Sequence, residues 1–252
     1  PVIATAVYSF SGLEAVLTVD LLTFAVAFIT LMFFIRIPKQ SAESAELSLI
    51  KSAKSGLDFL KSHKQVLMLI MYLSAINLVA SMYEAVLPAM VLSRKGGGTQ
   101  ALGAVSTCVG AATLIGSIIA TLMPKPKSRR RVICLSLLFS MSTENFFLAF
   151  GQTPLLWCTG AVLGWVLIPM MSANLDVIMR TKVPCHMQGR VYSARNTLQF
   201  FTIPLGNFLG GLAVDTFAEP LMAAMPHNSL MCNIFGSGKG SGAALLFFII
   251  GI

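Results

Sequence analysis

Seven apolar stretches, most of them 20 residues or longer, are separated by short loops, and the lysines and arginines sit almost only in every second loop. The stretches run over roughly 13–37, 66–92, 101–123, 132–151, 154–179 and 191–213, with a seventh starting near 242. About 20 apolar residues in a helix cross the hydrocarbon of a bilayer. Inside it every backbone N–H and C=O must find a partner within the protein. The pattern therefore predicts an all-α, multi-pass transmembrane helix bundle. The loops at 36–64, 124–131 and 180–190 hold six, five and three of the eighteen basic residues. The opposite loops hold only Arg94, Lys95 and Lys239, and Arg195 lies within a stretch. Such a bias predicts that the basic loops are cytoplasmic and that the chain sits in the cell (inner) membrane.

Only 11% of the residues are charged and 56% are hydrophobic, whereas a soluble domain carries about 25% charge. The net charge of +8 would suggest nucleic acid in a soluble protein. Here the cations anchor topology, and no nucleic-acid partner is expected. Contact with anionic lipid is an added role for the run at 127–131. The five cysteines show no paired spacing and read as small helix residues or free thiols. His63, His186 and His227 are scattered over loops, and neither a metal nor a cofactor is expected. The glycine-rich stretch at 236–241 lacks the spacing of a phosphate loop. Because the chain opens on Pro1 and stops inside an apolar run at Ile252, it reads as a piece of a longer protein. The stretch between the first two spans, 38–65, carries Leu47, Ile50, Leu57 and Leu60 near helical spacing, which predicts an amphipathic helix on the membrane surface.

Polar side chains inside the spans are costly and must be paired, neutral or wetted. Glu84 is the first candidate for a proton-coupling group; the competing reading is a structural hydrogen bond. Asn77, two turns earlier, shares its face and is either a substrate contact or an interhelical bond. Glu144, beside Asn145, is a second proton-coupling candidate, although an interhelical bond is the stronger reading there. Asp176 is a third. It pairs either with Arg180 one turn on or, as a gate latch, with Arg190 or Arg195. Arg195 and Gln199 share a face, and snorkelling to the interface is the simpler role for Arg195. Asn174 and Gln199 join Asn77 as substrate-cavity candidates. Asp20 reads as a helix cap and 94–100 as a flexible turn. Gly206 and Gly210, with Gly211 alongside, form a face on which a neighbouring backbone can come close. Pro88, Pro169 and Pro204 mark sites for bends.

Five segments resemble, in order, the C-terminal half of the major facilitator superfamily, in its macrolide-efflux or siderophore-exporter-like branch. They are Val19-Asp20-Leu-Leu-Thr23-Phe24 with Ile35-Arg36-Ile-Pro38; Tyr83-Glu84-Ala-Val-Leu87-Pro88; the turn at 92–103; Val183-Pro184 and Gln188-Gly189-Arg190-Val191 with Pro204-Leu-Gly206; and Ala213-Val-Asp215 through 242. The loop residues Cys185-His186-Met187 depart from the charged pattern of relatives. The resemblance implies a twelve-helix protein of two six-helix halves. It would expel an amphipathic small molecule (drug, macrolide, siderophore or peptide-like metabolite) against protons by alternating access, without enzymatic chemistry. On that mapping 1–37 is the last helix of the N-terminal half, 38–65 the cytoplasmic inter-half loop, and 66–252 the C-terminal half with its final helix truncated. The partners implied are the substrate, protons, the bilayer and the missing N-terminal half. The helix of Glu84 corresponds to one lining the cavity, and that of Glu144 to a peripheral one. Two other readings compete: a non-transporting half acting as a scaffold, and the membrane domain of an ATP-driven exporter. The latter needs helices reaching far into the cytosol, which the short loop at 124–131 does not supply.

Overall fold

The computed structural model describes residues 2–34, 49–226 and 229–252. All regular structure among them is helical, and the chain divides into two units, residues 1–51 and 52–252. The first unit is built on α1 (Val2–Ile29), whose end widens into a π turn over Thr30–Phe34. Because α1 starts at Val2, the lead-in before residue 13 is itself helical, and Asp20 lies in mid-helix rather than at a cap. Thr18 and Thr23 donate their hydroxyls to the carbonyls of Glu14 and Asp20, which hides a polar group within an apolar helix. Leu17–Phe34 is long and apolar enough to cross a membrane. Its expected exit at Pro38, and Leu47 in the following loop, lie outside the described residues.

The second unit begins within α2 (Leu49–Ser62), which has the amphipathic form expected of it. Leu60 is fully buried, whereas Lys54 and Lys61 are exposed. Five spanning stretches follow: α3 (Lys64–Ser93), α4 (Thr99–Leu122), α5 (Arg129–Phe150), Pro154–Lys182 and Cys185–Ala223. A shorter apolar helix, α12 (Ser241–Gly251), closes the chain.

Two of those spans are broken. Pro154–Lys182 divides into α6 (Pro154–Trp165) and α7 (Ile168–Lys182). Cys185–Ala223 divides into α8 (Gln188–Phe200), α9 (Thr202–Ala213), a π turn over Val214–Ala218 and α10 (Glu219–Ala223). Proline has no N–H to give to the carbonyl four residues back, and its ring crowds that carbonyl. For Pro169 and Pro204 those carbonyls belong to Trp165 and Phe200, the last residues of α6 and α8. Each break falls between carbonyl and proline. Pro88, by contrast, stays inside the 30-residue α3.

Small residues set the closest approaches. A Cβ on Gly210 would lie 2.8 Å from the Met82 Cα, and one on Gly206 would run into the Leu78 carbonyl, so α9 packs directly on the backbone of α3. Gly211 faces nothing within 4 Å and plays no part. On α6, a Cβ at Gly160 would lie 2.7 Å from the Phe147 Cβ of α5.

Two apolar clusters occupy opposite ends of this unit. Leu60, Val66, Ile133, Met179 and Val191 form one, at the basic loops. Met90, Val105, Leu148, Trp157 and Phe247 belong to the other. Alternate loops among the described residues are therefore gathered at opposite ends of the unit. At the second end Arg94 acts as a clasp. Its Nη1 donates to the Gly151 carbonyl at 2.8 Å and its Nη2 to that of Phe235, which ends α11 (Leu230–Phe235). Burial lowers the pKa of this guanidinium from its ordinary value, and the nearby Glu219 carboxylate opposes the drop. Glu219 also accepts the Gly240 N–H at 2.7 Å. The turn at 94–100 is thus pinned at its first residue rather than free. Gly96 and Gly98 supply its left-handed corners, with φ of 78° and 117°.

Candidate functional site

A polar seam joins α7, α8 and α3. The Arg195 guanidinium lies 3.7 Å from the Asp176 carboxylate. Its Nε donates to the Gln199 side-chain oxygen at 3.1 Å, and its Cζ sits 5.9 Å from the centre of the Tyr192 ring. The Gln199 carbonyl, one residue before α8 ends, accepts from Asn77 Nδ2 of α3 at 3.0 Å and from Thr202 Oγ1 at 2.6 Å. Side chains from a neighbouring helix thus take up a carbonyl at a broken helix end, the usual remedy for irregular backbone in a membrane. The Asp176 side chain is 53% exposed and that of Arg195 16%. With its carboxylate half-exposed to solvent, the pair contributes little fixed stability, so Asp176 can exchange partners.

Four of the residues singled out in sequence therefore meet: Asp176, Arg195, Gln199 and Asn77. Others do not join them. Arg180 does not pair with Asp176; among the described residues the Asp176–Arg195 contact is the sole ion pair. Arg190 does not reach Asp176 either. It faces Ser55 Oγ at 3.4 Å, and a Cβ on Gly56 would lie 2.6 Å from the Arg190 carbonyl, so this residue docks α2 onto α8. Asn174 is buried, accepts from Arg129 Nη1 at 3.0 Å and donates to the Met170 carbonyl at 2.8 Å, which ties the start of α5 to α7.

Glu144 is buried at 4% exposure and held by two donors on one oxygen. Tyr83 Oη of α3 donates to Oε1 at 2.5 Å and Trp165 Nε1 of α6 at 2.9 Å. Its second oxygen lies over Gly164, where an added Cβ would come within 2.5 Å. The interhelical bond read from the sequence is present. Asn145 donates to the Met141 carbonyl at 2.7 Å, and its buried Oδ1 has no partner among the described residues. Glu84 differs from its expectation as a carboxylate deep in an apolar span. It is exposed in this unit, with no hydrogen-bond or ion-pair partner among the described residues. Consecutive helical residues point in different directions, and α3 directs Tyr83 inward instead. The five cysteines are free thiols. No group of three metal-ligating side chains occurs among the described residues.

Sequence reasoning missed Tyr83 and Trp165 as partners of Glu144. The only signal for them was a polar edge on an otherwise apolar ring, which buried Tyr and Trp aim at an acceptor.

Residues 1–207 match the sequence profile of the Major Facilitator Superfamily. The chain belongs to that superfamily. It is accordingly a multi-pass membrane protein of a transporter family. Macrolide efflux protein A of Streptococcus pyogenes is 22% identical over 220 residues, which covers 85% of this chain and 54% of that protein. The protein of the same name from Enterococcus faecalis is 22% identical over 211 residues, 82% of this chain and 64% of its own length. The chain thus spans between half and two-thirds of these relatives. No solved structure matches it.

Proposed function

We propose that the chain is the C-terminal half, with the preceding helix, of a secondary active exporter that expels an amphipathic small molecule in exchange for protons. Its basic loops face the cytoplasm, and a further six-helix half completes the substrate cavity. The observation that carries this reading is the Asp176–Arg195–Gln199–Asn77 seam at the break between α8 and α9. Alternating access needs an element with two arrangements of similar free energy. An ion pair beside an interrupted helix, with its carboxylate half-exposed, meets that need, because the freed Asp176 is solvated and Arg195 keeps its bond to the Gln199 side chain. Glu84 presents a free carboxylate on the face of α3 that also bears Asn77. It takes up the proton in one state and releases it in the other. The naming of the relatives as macrolide efflux proteins supports export of a bulky, partly apolar molecule.

Proton-gradient-dependent extrusion of a fluorescent amphipathic dye from cells expressing the native gene tests the proposal. Asp176→Asn and Arg195→Gln are each expected to slow extrusion at least tenfold, and Glu84→Gln to abolish its dependence on the gradient. Undiminished extrusion in both seam variants would remove the latch from the mechanism. Gradient-dependent extrusion in Glu84→Gln would remove that carboxylate.

A further inference from the structure

The end of the bundle that carries the basic loops gathers several cations that pair with no carboxylate among the described residues. α5 opens with Arg129, Arg130 and Arg131, at the positive end of the helix dipole, where cations destabilise and anions stabilise. No acidic residue lies in that turn, and Ser128 makes no side-chain capping bond. Arg129 and Arg130 line a cavity of about 340 Å³ together with Lys127, from the preceding loop, and Lys182, from the end of α7. None of the four takes part in an ion pair among the described residues. Arg129 gives one N–H to the neutral Asn174 amide oxygen at 3.0 Å. Val66 and Leu69 of α3 and Ile178 of α7 add apolar surface to its lining, beside the neutral Gln65 and Ser128.

These features together select a ligand class. Like charges crowded at one helix start repel, and an anion at their centre reverses that energy and meets the uncapped N–H groups. A bare anion would leave that apolar surface unused. An anionic lipid supplies both halves, since basic pockets between membrane helices match a phosphate headgroup beside acyl chains. We propose that this cavity binds the phosphodiester of an anionic membrane lipid. Lys127, Arg130 and Lys182 surround the phosphate, and an acyl chain lies along Leu69 and Ile178. The bound lipid joins the starts of α3 and α5 to the end of α7.

The test is native mass spectrometry of the full chain in detergent, titrated with phosphatidylglycerol or phosphatidylcholine, with inorganic phosphate as competitor. The pocket variant is Lys127→Gln/Arg130→Gln/Lys182→Gln. Its charge-matched control is Lys54→Gln/Lys61→Gln/Lys95→Gln, outside the cavity. Each cation near a phosphate contributes about fivefold, so the pocket variant is expected to hold phosphatidylglycerol roughly a hundredfold more weakly, while the control binds like the native chain. Arg130→Gln alone, at an exposed side chain, is expected to weaken retention about fivefold, and it serves if the triple variant does not fold. Equal retention of phosphatidylglycerol by the native chain and both variants overturns the proposal. So does retention of phosphatidylcholine as tight as phosphatidylglycerol. Displacement by millimolar inorganic phosphate also overturns it, by making a free anion the ligand.

Discussion

Replacing Glu144 separates a structural carboxylate from a proton carrier. Both donors, Tyr83 Oη at 2.5 Å and Trp165 Nε1 at 2.9 Å, end on the same atom, Oε1. An amide oxygen at that point accepts both, so Glu144→Gln keeps the geometry. Leucine accepts neither, and Glu144→Leu leaves two donors buried between helices. In water each orphaned donor would cost about 1–3 kcal/mol. Between membrane helices the unfolded reference also finds partners, and a lost bond costs about 0.6–1.7 kcal/mol. The membrane figure governs here, so Glu144→Leu should destabilise by roughly 1–3 kcal/mol for the pair of bonds. Glu144→Gln should stay within about 0.5 kcal/mol of the native chain, and Tyr83→Phe should cost about 0.6–1.7 kcal/mol. The assay is reversible unfolding in mixed micelles, followed by tryptophan fluorescence and circular dichroism. If Glu144→Gln proves as damaging as Glu144→Leu, the ionised group rather than the two shared bonds holds these helices, and the structural reading of Glu144 is refuted.

Three further outcomes follow from the packing. Gly210→Leu should destabilise by about 1–3 kcal/mol through overpacking, because its Cβ would lie 2.8 Å from the Met82 backbone. Gly211→Ala, with nothing within 4 Å, should be neutral or stabilise by up to about 1 kcal/mol; micelle unfolding of both variants checks the contrast. Arg94→Lys should destabilise nearly as much as Arg94→Gln, since a single ammonium does not reproduce the guanidinium fork that bridges Gly151 and Phe235; faster hydrogen exchange in α11 would report it. Asp176→Asn should shift unfolding by less than about 1 kcal/mol, because an exposed pair contributes little, even where extrusion falls tenfold.

Much of the fold was legible because a membrane leaves so few alternatives. Length, apolarity and the alternation of basic loops locate the four spans from α3 to α7 within a few residues, while α1 and the span of α8 to α10 run about ten residues further at one end. Gly206 and Gly210 announce the approach of α9 to α3. The breaks at Pro169 and Pro204 were legible as bends but not as full interruptions. Proline tolerates either outcome, as the unbroken α3 around Pro88 shows. The site was legible only in part. Asp176 offered three cation partners, Arg180 at helical spacing and Arg190 or Arg195 across helices, and tertiary packing chose Arg195. Rotation about α3 decided that Tyr83 is buried and Glu84 exposed, and with so little amphipathic pattern in that helix the sequence does not fix its facing. Partners far apart in the chain, such as Arg94 with Phe235 or Arg129 with Asn174, leave no local signature.

The repeated crossing of the membrane, with the basic loops on one side, is tested most directly by labelling. In a background stripped of its other cysteines, one version of the chain keeps only the exposed native Cys185, and another carries only Gln100→Cys. A membrane-impermeant maleimide applied to intact cells should label the residue at 100 and reach Cys185 only after the membrane is opened. Equal labelling of both sites in sealed cells would contradict the topology and the exporter reading built on it.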